Sequence, residues 1–438
     1  MQNIKKSYHI ITLGCAMNQA DSERIAGFLG EFGCFQALER KDADFVVLVT
    51  CGIRQSAEDR IYGLIPRIRK ENKDVKIILT GCLSERPDVI KRLQEMVDVW
   101  LPINDLASLA ESLGLGKSQE YKNYLNIYQK NSSPFAAFVP IGNGCNNFCS
   151  YCVVPYARGR EVYRDAEEII SDVKELLKNG YKEITLIAQN VNSYFSKSGE
   201  TEIDFADLLK MVNDLSGNFW LRFSTSHPKD MSTKLIETIA SCEKVCEHVH
   251  LPAQAGDNDV LKAMNRRYTI EHYKELIKKI KSEVAEKKPN ALPVSFTTDV
   301  IVGFPGETEA QFEKTAELFR EMKYDIAFVS QYSPRYGTVS AKMIDDVLPE
   351  EKKRREDKLM EIMQATQDEN NKYYLNKTVD VLFEFFNEKK KILIGKMRTG
   401  KIVKIFGVED KKDELIGEFG RVKVVKVDES GFEGEIVK

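Results

Sequence analysis

Short, unbroken apolar runs alternate with amphipathic stretches over the first hundred residues. Residues 9–13, 45–50 and 75–80 are mostly apolar and rich in β-branched side chains, without in-out alternation, the pattern of strands covered on both faces. Between them, 20–30 and 57–70 repeat apolar positions at helical spacing. Strand and helix in turn predict a parallel sheet in an α/β domain. Residues 117–134 then lose this periodicity and fill with Ser, Asn, Lys and Gln, a linker composition. Within them Tyr121, Tyr124 and Tyr128 recur at roughly helical spacing, so a short ordered segment is also expected there.

Alternation resumes in the middle of the chain. Strands are predicted at 137–141, 183–187, 220–223, 245–250, 295–302 and 326–331, with helices at 166–179, 205–215, 233–240, 270–285 and 309–322. Six strands with helical crossovers predict a partial (βα) barrel, because a complete eightfold barrel takes ~250 residues. A long charged helix follows at 348–374, and then short strands at 379–385, 392–397, 401–406, 420–427 and 431–436 predict a small β-barrel-like module. The organisation read from these patterns is an α/β unit at 1–133, a partial (βα)6 barrel at 134–371 and a β-barrel at 372–438.

The 438 residues are 42% hydrophobic and 30% charged, as in ordinary globular domains. No apolar run approaches the ~18 residues of a membrane span, and the first six residues, MQNIKK, lack the apolar stretch of a signal peptide. A cytoplasmic protein without membrane attachment is expected. The net charge of −3 gives no global attraction to nucleic acid and leaves only a local patch to supply it. Residues 389–404 hold many Lys and Arg and no acid, including Lys396, Arg398, Lys401 and Lys404. Basic and apolar residues alternating on strands predict a cationic face for phosphates. The plainer alternative is a solvated strand face, and Glu409 and Asp410 keep the module's total charge small.

Nine cysteines in a reducing compartment suggest ligands or core filler before disulfides. Cys145, Cys149 and Cys152 have the spacing C-x3-C-x2-C. Structural zinc closes with four ligands. Three close thiolates without an obvious fourth suit a 4Fe-4S cluster with one iron left open to a substrate or cofactor. Zinc with a distant ligand, or cysteines filling a core, are the alternatives. Cys15, Cys51 and Cys82 are scattered in sequence, yet each follows a predicted strand. Ligands of open parallel sheets bind beyond the carboxyl ends of strands, and the positive ends of the following helices stabilise thiolates. A second cluster is therefore expected, against three independent buried cysteines. Cys34 reads as core, and Cys242 and Cys246 as a weak chelating pair. His248 and His250 alternate on a strand and suit barrel packing or a substrate contact.

The CNNFCSYC stretch at 145–152 resembles the radical S-adenosylmethionine (SAM) superfamily. That resemblance implies a 4Fe-4S cluster whose open iron binds SAM and cleaves it to a 5′-deoxyadenosyl radical, with Tyr151 beside the adenine. It places further SAM contacts at later strand ends, here Gln189, Arg222 toward the SAM carboxylate, and the stretch from Asp299 to Gly303. An ion pair is the alternative for Arg222, and a plain turn for Gly303, Pro305 and Gly306. Over essentially the whole chain, GCAMN at 14–18, TCGIR at 50–54, TGC at 80–82, CVVPYARGRE at 152–161, QNVN at 189–192, STSHP at 224–228, MNR at 264–266 and YSPR at 332–335 resemble the methylthiotransferase family. The tail resembles an RNA-binding TRAM domain. LPAQAG at 251–256 departs from the family's usual LPVQSG, and GKMRTG at 395–400 from a GRT-like start.

This second resemblance implies an enzyme that adds a methylthio group to carbon 2 of N6-isopentenyladenosine at position 37 of tRNA. It implies two 4Fe-4S clusters, two SAM molecules and an electron donor such as flavodoxin or ferredoxin, and leaves the sulfur source open. The anticodon stem-loop would be held by Lys396, Arg398, Lys401 and Lys404, while Arg158 and Arg160 meet the substrate near the SAM cluster. Rival readings are a sister methylthiotransferase acting on threonylcarbamoyladenosine tRNA or a ribosomal-protein aspartate, a two-cluster electron carrier, and a zinc-stabilised RNA-binding protein.

Overall fold

The computed structural model describes residues 5–53, 55–118, 124–428 and 431–437. Five parallel strands form the first sheet, in the spatial order Phe35–Gln36, Ser7–Thr12, Phe45–Thr50, Lys76–Gly81 and Val99–Leu101. The central strand Phe45–Thr50 is buried throughout. Its Val47 and Val49 pack into one apolar cluster and its Val46 and Leu48 into another, which is why its sequence shows no alternation. The two outer strands are too short to show a sequence signature. The helix Ala16–Glu31 starts earlier than its apolar spacing predicts, with Cys15 at its N-cap.

The polar segment after this unit is a packed strap. Tyr121 lies outside the described residues. Tyr124 is buried in a single 3-10 turn, Tyr124–Asn126, while Tyr128 is exposed. Arg24 Nε donates to the Ile127 carbonyl (3.3 Å) and the Lys130 amide to the Glu23 carbonyl (3.0 Å). A Cβ on Gly27 would lie 2.1 Å from the Tyr128 carbonyl oxygen, so the strap needs glycine in the helix beneath it.

Six parallel strands make the central unit. Ala136–Pro140, Glu183–Ile187 and Trp220–Ser224 form one ladder, and His248–His250, Ser295–Val302 and Ile326–Gln331 a second. A bridge from Leu221 to Val245 joins them. The result is the expected open, partial barrel, wrapped by helices that bury their apolar stripes in one large core. A hairpin, Phe195–Ser198 with Thr201–Asp204, and the helix Asn258–Ala263 are additions that strand counting did not reveal. The helix Pro349–Lys372 leads to a closed barrel of five strands: Thr378–Asn387, Ile392–Met397, Ile402–Phe406, Gly431–Val437 and Phe419–Asp428 in spatial order.

The seam between the two barrels overturns the expected cationic face. Lys396 pairs with Glu183 (2.7 Å) and Glu384 (2.6 Å), Arg398 with Glu247 (2.7 Å), and Lys401 with Asp325 (2.5 Å). Lys401 and Thr399 are buried. Arg222 belongs to the same seam rather than to a SAM carboxylate. Its Nε donates to Glu183 (2.7 Å), and its Nη1 and Nη2 to the Arg398 (2.9 Å) and Met397 (2.8 Å) carbonyls. Lys396 lies at the end of a strand and Arg398 and Lys401 lie in the turn after it; carboxylates of the neighbouring barrel cover that turn, and a buried charge is costly unless paired. His248 packs beside Gly400 here, and burial with Arg222 and His250 nearby pushes its imidazole down to about 3.

Burial pushes the Glu183 carboxyl up, but Arg222 and Lys396 outweigh it and hold it below the ordinary 4.5. A depressed carboxylate contributes stability that is complete above its unfolded pKa and lost as pH falls through the folded one. Thermal unfolding should therefore show an acid-side loss of stability, below pH 4.5, that Glu183→Gln attenuates. Glu183→Ala should cost about 3 kcal/mol in a denaturant titration at pH 7, because it leaves buried cations short of a partner. A wild-type Tm in that variant would contradict the assignment.

Candidate functional site

Cys145, Cys149 and Cys152 sit on the loop beyond the carboxyl end of the first barrel strand, Ala136–Pro140. Its entry is Gly144, at φ +84°, where a Cβ would lie 2.1 Å from the Arg160 carbonyl oxygen. The Gly144 amide donates to Gln189 Oε1 (2.7 Å) and the Cys145 amide to the Gly159 carbonyl (3.2 Å). A second segment clasps the loop from the far side. Asn265 Nδ2 donates to the Phe148 (2.9 Å) and Asn147 (3.3 Å) carbonyls, and Ser150 donates through its hydroxyl to Ala263 O (2.8 Å) and through its amide to Met264 O (3.0 Å). Asn147 Nδ2 lies 3.6 Å from Cys145 Sγ, and Arg266 Nη1 lies 3.6 Å from Cys149 Sγ.

Backbone strain marks this loop, its clasp and two later strand ends of the barrel. Phe148 (φ +47°), Thr225 (+75°), Gln254 (+67°) and Asn265 (+57°) all adopt left-handed conformations. For β-branched Thr225 this is a genuine outlier. Such strain persists where surrounding structure over-determines it, commonly at functional sites.

The other three cysteines occupy one edge of the first sheet. Cys15, Cys51 and Cys82 follow the adjacent parallel strands Ser7–Thr12, Phe45–Thr50 and Lys76–Gly81. Cys15 lies at the positive end of a long helix, whereas the helix after Cys82 begins only at Pro87. Asn18 ties the edge together. It is buried, donates to the Leu13 (2.7 Å) and Thr50 (2.9 Å) carbonyls, and its Oδ1 lies 3.6 Å from Cys15 Sγ. Among the described residues no three Cys, His, Asp or Glu side chains close around one metal-ion position. The fold supplies a shared loop and a shared edge, not a finished coordination sphere.

The two trios face one another. A Cβ on Gly52 would come within 3.0 Å of both Cys82 Cβ and Val153 Cγ2, so the chain beside Cys51 touches the chain beside Cys152. Buried Arg158, six positions past Cys152, reaches across to Asp21 (2.6 Å) and Asn18 Oδ1 (3.2 Å). On another side Arg335 Nη2 donates to the Ile53 carbonyl (2.8 Å) and Nη1 to Gln55 (2.5 Å). Burial and then Cys149 push the Cys152 thiol up, with Cys145 and Cys82 adding to the rise; burial, with Cys149 contributing, does the same to Cys145. Thiols crowded in a low-dielectric nest repel one another as thiolates unless a cationic centre joins them. Iron–sulfur clusters take cysteine thiolates as ligands, so the donor chemistry of both trios fits such a group.

The remaining expected residues divide. Gln189 and half-buried Tyr151 lie at the loop. Asp299 faces His250 (3.3 Å) inside the barrel. Gly303 is a turn glycine whose amide donates to Glu307 (2.6 Å) beneath Lys352, which supports the plain-turn alternative over a SAM contact. Arg158 is a buried strut and not a substrate contact, because Asp21 and Asn18 engage it. Arg160 is exposed, its guanidinium 4.7 Å from the Phe148 ring centroid. Lys404 is half-buried on the strand Ile402–Phe406 of the C-terminal barrel. Asn265, Arg266 and Arg335 lie in motifs visible in the sequence, but only the fold shows that they clasp the cysteine loops. Cys34 is core as expected, and Cys242 and Cys246 are both buried.

Two family models match separate stretches of the chain. The model of the radical SAM superfamily matches residues 139–319, and that of uncharacterized protein family UPF0004 matches 7–102. A tRNA-2-methylthio-N(6)-dimethylallyladenosine synthase of Clostridium botulinum (strain Hall) is 40% identical, with 99% of this chain and 97% of the relative covered. Proteins of the same name from Alkaliphilus oremlandii (39%; 99% and 93% covered) and Carboxydothermus hydrogenoformans (40%; 99% and 100%) are similar throughout. Among solved structures, the radical SAM methyltransferase TsrM of Kitasatospora setae, with cobalamin and a 4Fe-4S cluster bound, aligns at TM-score 0.53 with 13% identity over 75% of each chain. The cobalamin-dependent SAM radical enzyme OxsB aligns at 0.52 with 10% identity, over 83% of this chain and 56% of its own. At these identities the two structures share the fold alone.

Arg158→Ala leaves the Asp21 carboxylate buried with only Arg24, 3.9 Å away. The variant should lose about 3 kcal/mol, read as a lower denaturant midpoint. An unchanged midpoint would show that the strut carries no energy.

Proposed function

The chain belongs to the tRNA-2-methylthio-N(6)-dimethylallyladenosine synthase family of radical SAM enzymes, and we propose that it adds a methylthio group to carbon 2 of N6-isopentenyl (dimethylallyl) adenosine at position 37 of tRNA. The observation that carries this reading is the meeting of two cysteine trios across one seam, in a chain about 40% identical to such synthases over its whole length. Carbon 2 of adenine is unactivated, so the hard step belongs to a cofactor, and the protein binds, orients and shields it.

Cys145, Cys149 and Cys152 would hold a 4Fe-4S cluster with one open iron, and Cys15, Cys51 and Cys82 an auxiliary cluster. Bound there, the first supplies one-electron cleavage of SAM and the second a site for the transferred sulfur and methyl. Tyr151 and Gln189, beside the loop, are the residues proposed to line SAM, with Asp299 and His250 further into the barrel. Gln189 has a second duty, since it accepts from the Gly144 amide and fixes the loop's entry. The strained Thr225 and Gln254 belong to the segments after Trp220–Ser224 and His248–His250, where a cofactor would sit over the strand ends.

The anticodon loop is single-stranded, so its base can be splayed into a site without melting a duplex. Arg160, exposed beside Phe148 at the mouth, is placed to meet a phosphate there. The C-terminal β-barrel is read as a TRAM-like RNA module. Lys396, Arg398 and Lys401 are engaged in its seam with the central barrel, so its grip falls to its outer face, where Lys404 lies near exposed Phe385 and Phe406. Electrons would come from a low-potential donor such as flavodoxin or ferredoxin. Among the described residues no helix is long and apolar enough to cross a membrane, and a cytoplasmic site of action suits a tRNA substrate.

An anaerobic assay with SAM, reductant and isopentenylated tRNA should give both 5′-deoxyadenosine and methylthiolated adenosine. Cys145→Ala should abolish both products. Cys82→Ala should keep 5′-deoxyadenosine and lose the methylthio product. Loss of SAM cleavage in a folded, iron-loaded Cys82→Ala protein would contradict the division of labour.

A further inference from the structure

Arg266 is buried, and its guanidinium is aimed at three acceptors. Nη1 lies 3.6 Å from Cys149 Sγ, Nη2 donates to the Pro252 carbonyl (3.1 Å) and Nε to the Tyr268 hydroxyl (3.2 Å). Among the described residues no carboxylate lies within ion-pair distance of it. The other buried arginines show the contrast: Arg158 has Asp21, Arg222 has Glu183 and Arg355 has Glu307. An uncompensated buried cation is costly. Of the acidic groups around it, the Tyr268 and Tyr151 hydroxyls and the Cys149 thiol, the sulfur is the one that ligation to iron makes anionic.

The placement of Arg266 is fixed from its own backbone. Its amide donates to the Leu261 carbonyl (2.8 Å), and the preceding Asn265 is held at φ +57° while clasping the cysteine loop. Tyr268, which accepts from Arg266, donates in turn to Ala253 O (2.6 Å). The fork is thus locked against the loop before any cofactor arrives.

Given the reading that Cys145, Cys149 and Cys152 hold a 4Fe-4S cluster, we propose that Arg266 is a positioning residue that raises the reduction potential of this cluster by donating to the Cys149 sulfur and placing a fixed positive charge beside it. Hydrogen bonds to the ligand sulfurs and local net charge are established levers on cluster potential. Reduction adds one electron, taken from an external low-potential one-electron donor, and no proton. Arg266 keeps its protons in both states and favours the more negative, reduced one.

The test uses full-length protein loaded anaerobically with iron and sulfide, without tRNA. The wild type, Arg266→Lys and Arg266→Gln are first compared for iron content. The EPR signal that shifts on adding SAM is then followed in a redox titration. Arg266→Gln should lower the reduced-to-oxidised ratio at fixed potential by about tenfold, a midpoint about 59 mV more negative for a one-electron couple. Arg266→Lys should fall between. Equal midpoints at equal iron content overturn the proposal. Should Arg266→Gln fail to load, wild-type protein labelled with 15N-arginine decides. Pulsed EPR of its reduced cluster should show a guanidinium nitrogen coupling, and absence of that coupling overturns the proposal as well. A wild-type protein that takes up no iron would instead overturn the cluster reading itself.

Discussion

One buried guanidinium fixes how the two cysteine trios meet. Arg158 leaves the segment just past Cys152, crosses the seam and ends on Asp21 and Asn18. Asn18 in turn holds the loop before Cys15 and the strand end before Cys51 through two carbonyl acceptors. The sheet edge and the barrel loop are therefore tied by a continuous hydrogen-bonded chain, not merely apposed. Glycine at position 52 suits the close approach of the backbones, since a Cβ there would lie 3.0 Å from Cys82 Cβ and Val153 Cγ2 and press both neighbours outward. The proposed reaction, in which both trios would take part, needs this closeness.

The opposite end of the barrel is held by a different arrangement. The turn from Met397 to Lys401 presses into the start of the barrel strands and spends Lys396, Arg398 and Lys401 on Glu183, Glu247 and Asp325. Electrostatics that looked destined for phosphate are internal. The C-terminal module is anchored by charge to the floor of the barrel, while the cysteines occupy its roof. The cations at and beside that turn thus serve architecture.

Long, fully buried strands were legible because a six-residue run such as Phe45–Thr50, apolar up to its last residue and with four β-branched side chains, suits a covered strand. The common edge of Cys15, Cys51 and Cys82 came from such runs, the six barrel strands from shorter β-rich segments alternating with helical ones, and the five strands of the C-terminal barrel from short β-rich segments between turns. Two-residue and three-residue edge strands such as Phe35–Gln36 and Val99–Leu101 carry too little pattern to register. The misplaced residues were the cations. Whether Lys401 or Arg222 faces water or a carboxylate depends on partners remote in sequence, and charge patterning along one strand holds no information about them. For the same reason Arg266 read as part of a motif, with no hint that its fork points at a cysteine sulfur.

The central claim is that two iron-bearing groups sit on either side of one seam. Diffraction from anaerobically loaded crystals, collected at the iron absorption edge, tests it without reference to turnover. Two anomalous peaks are expected, one against the loop of Cys145, Cys149 and Cys152 and one against the strand edge of Cys15, Cys51 and Cys82. A single peak, or a second one away from that edge, would contradict it.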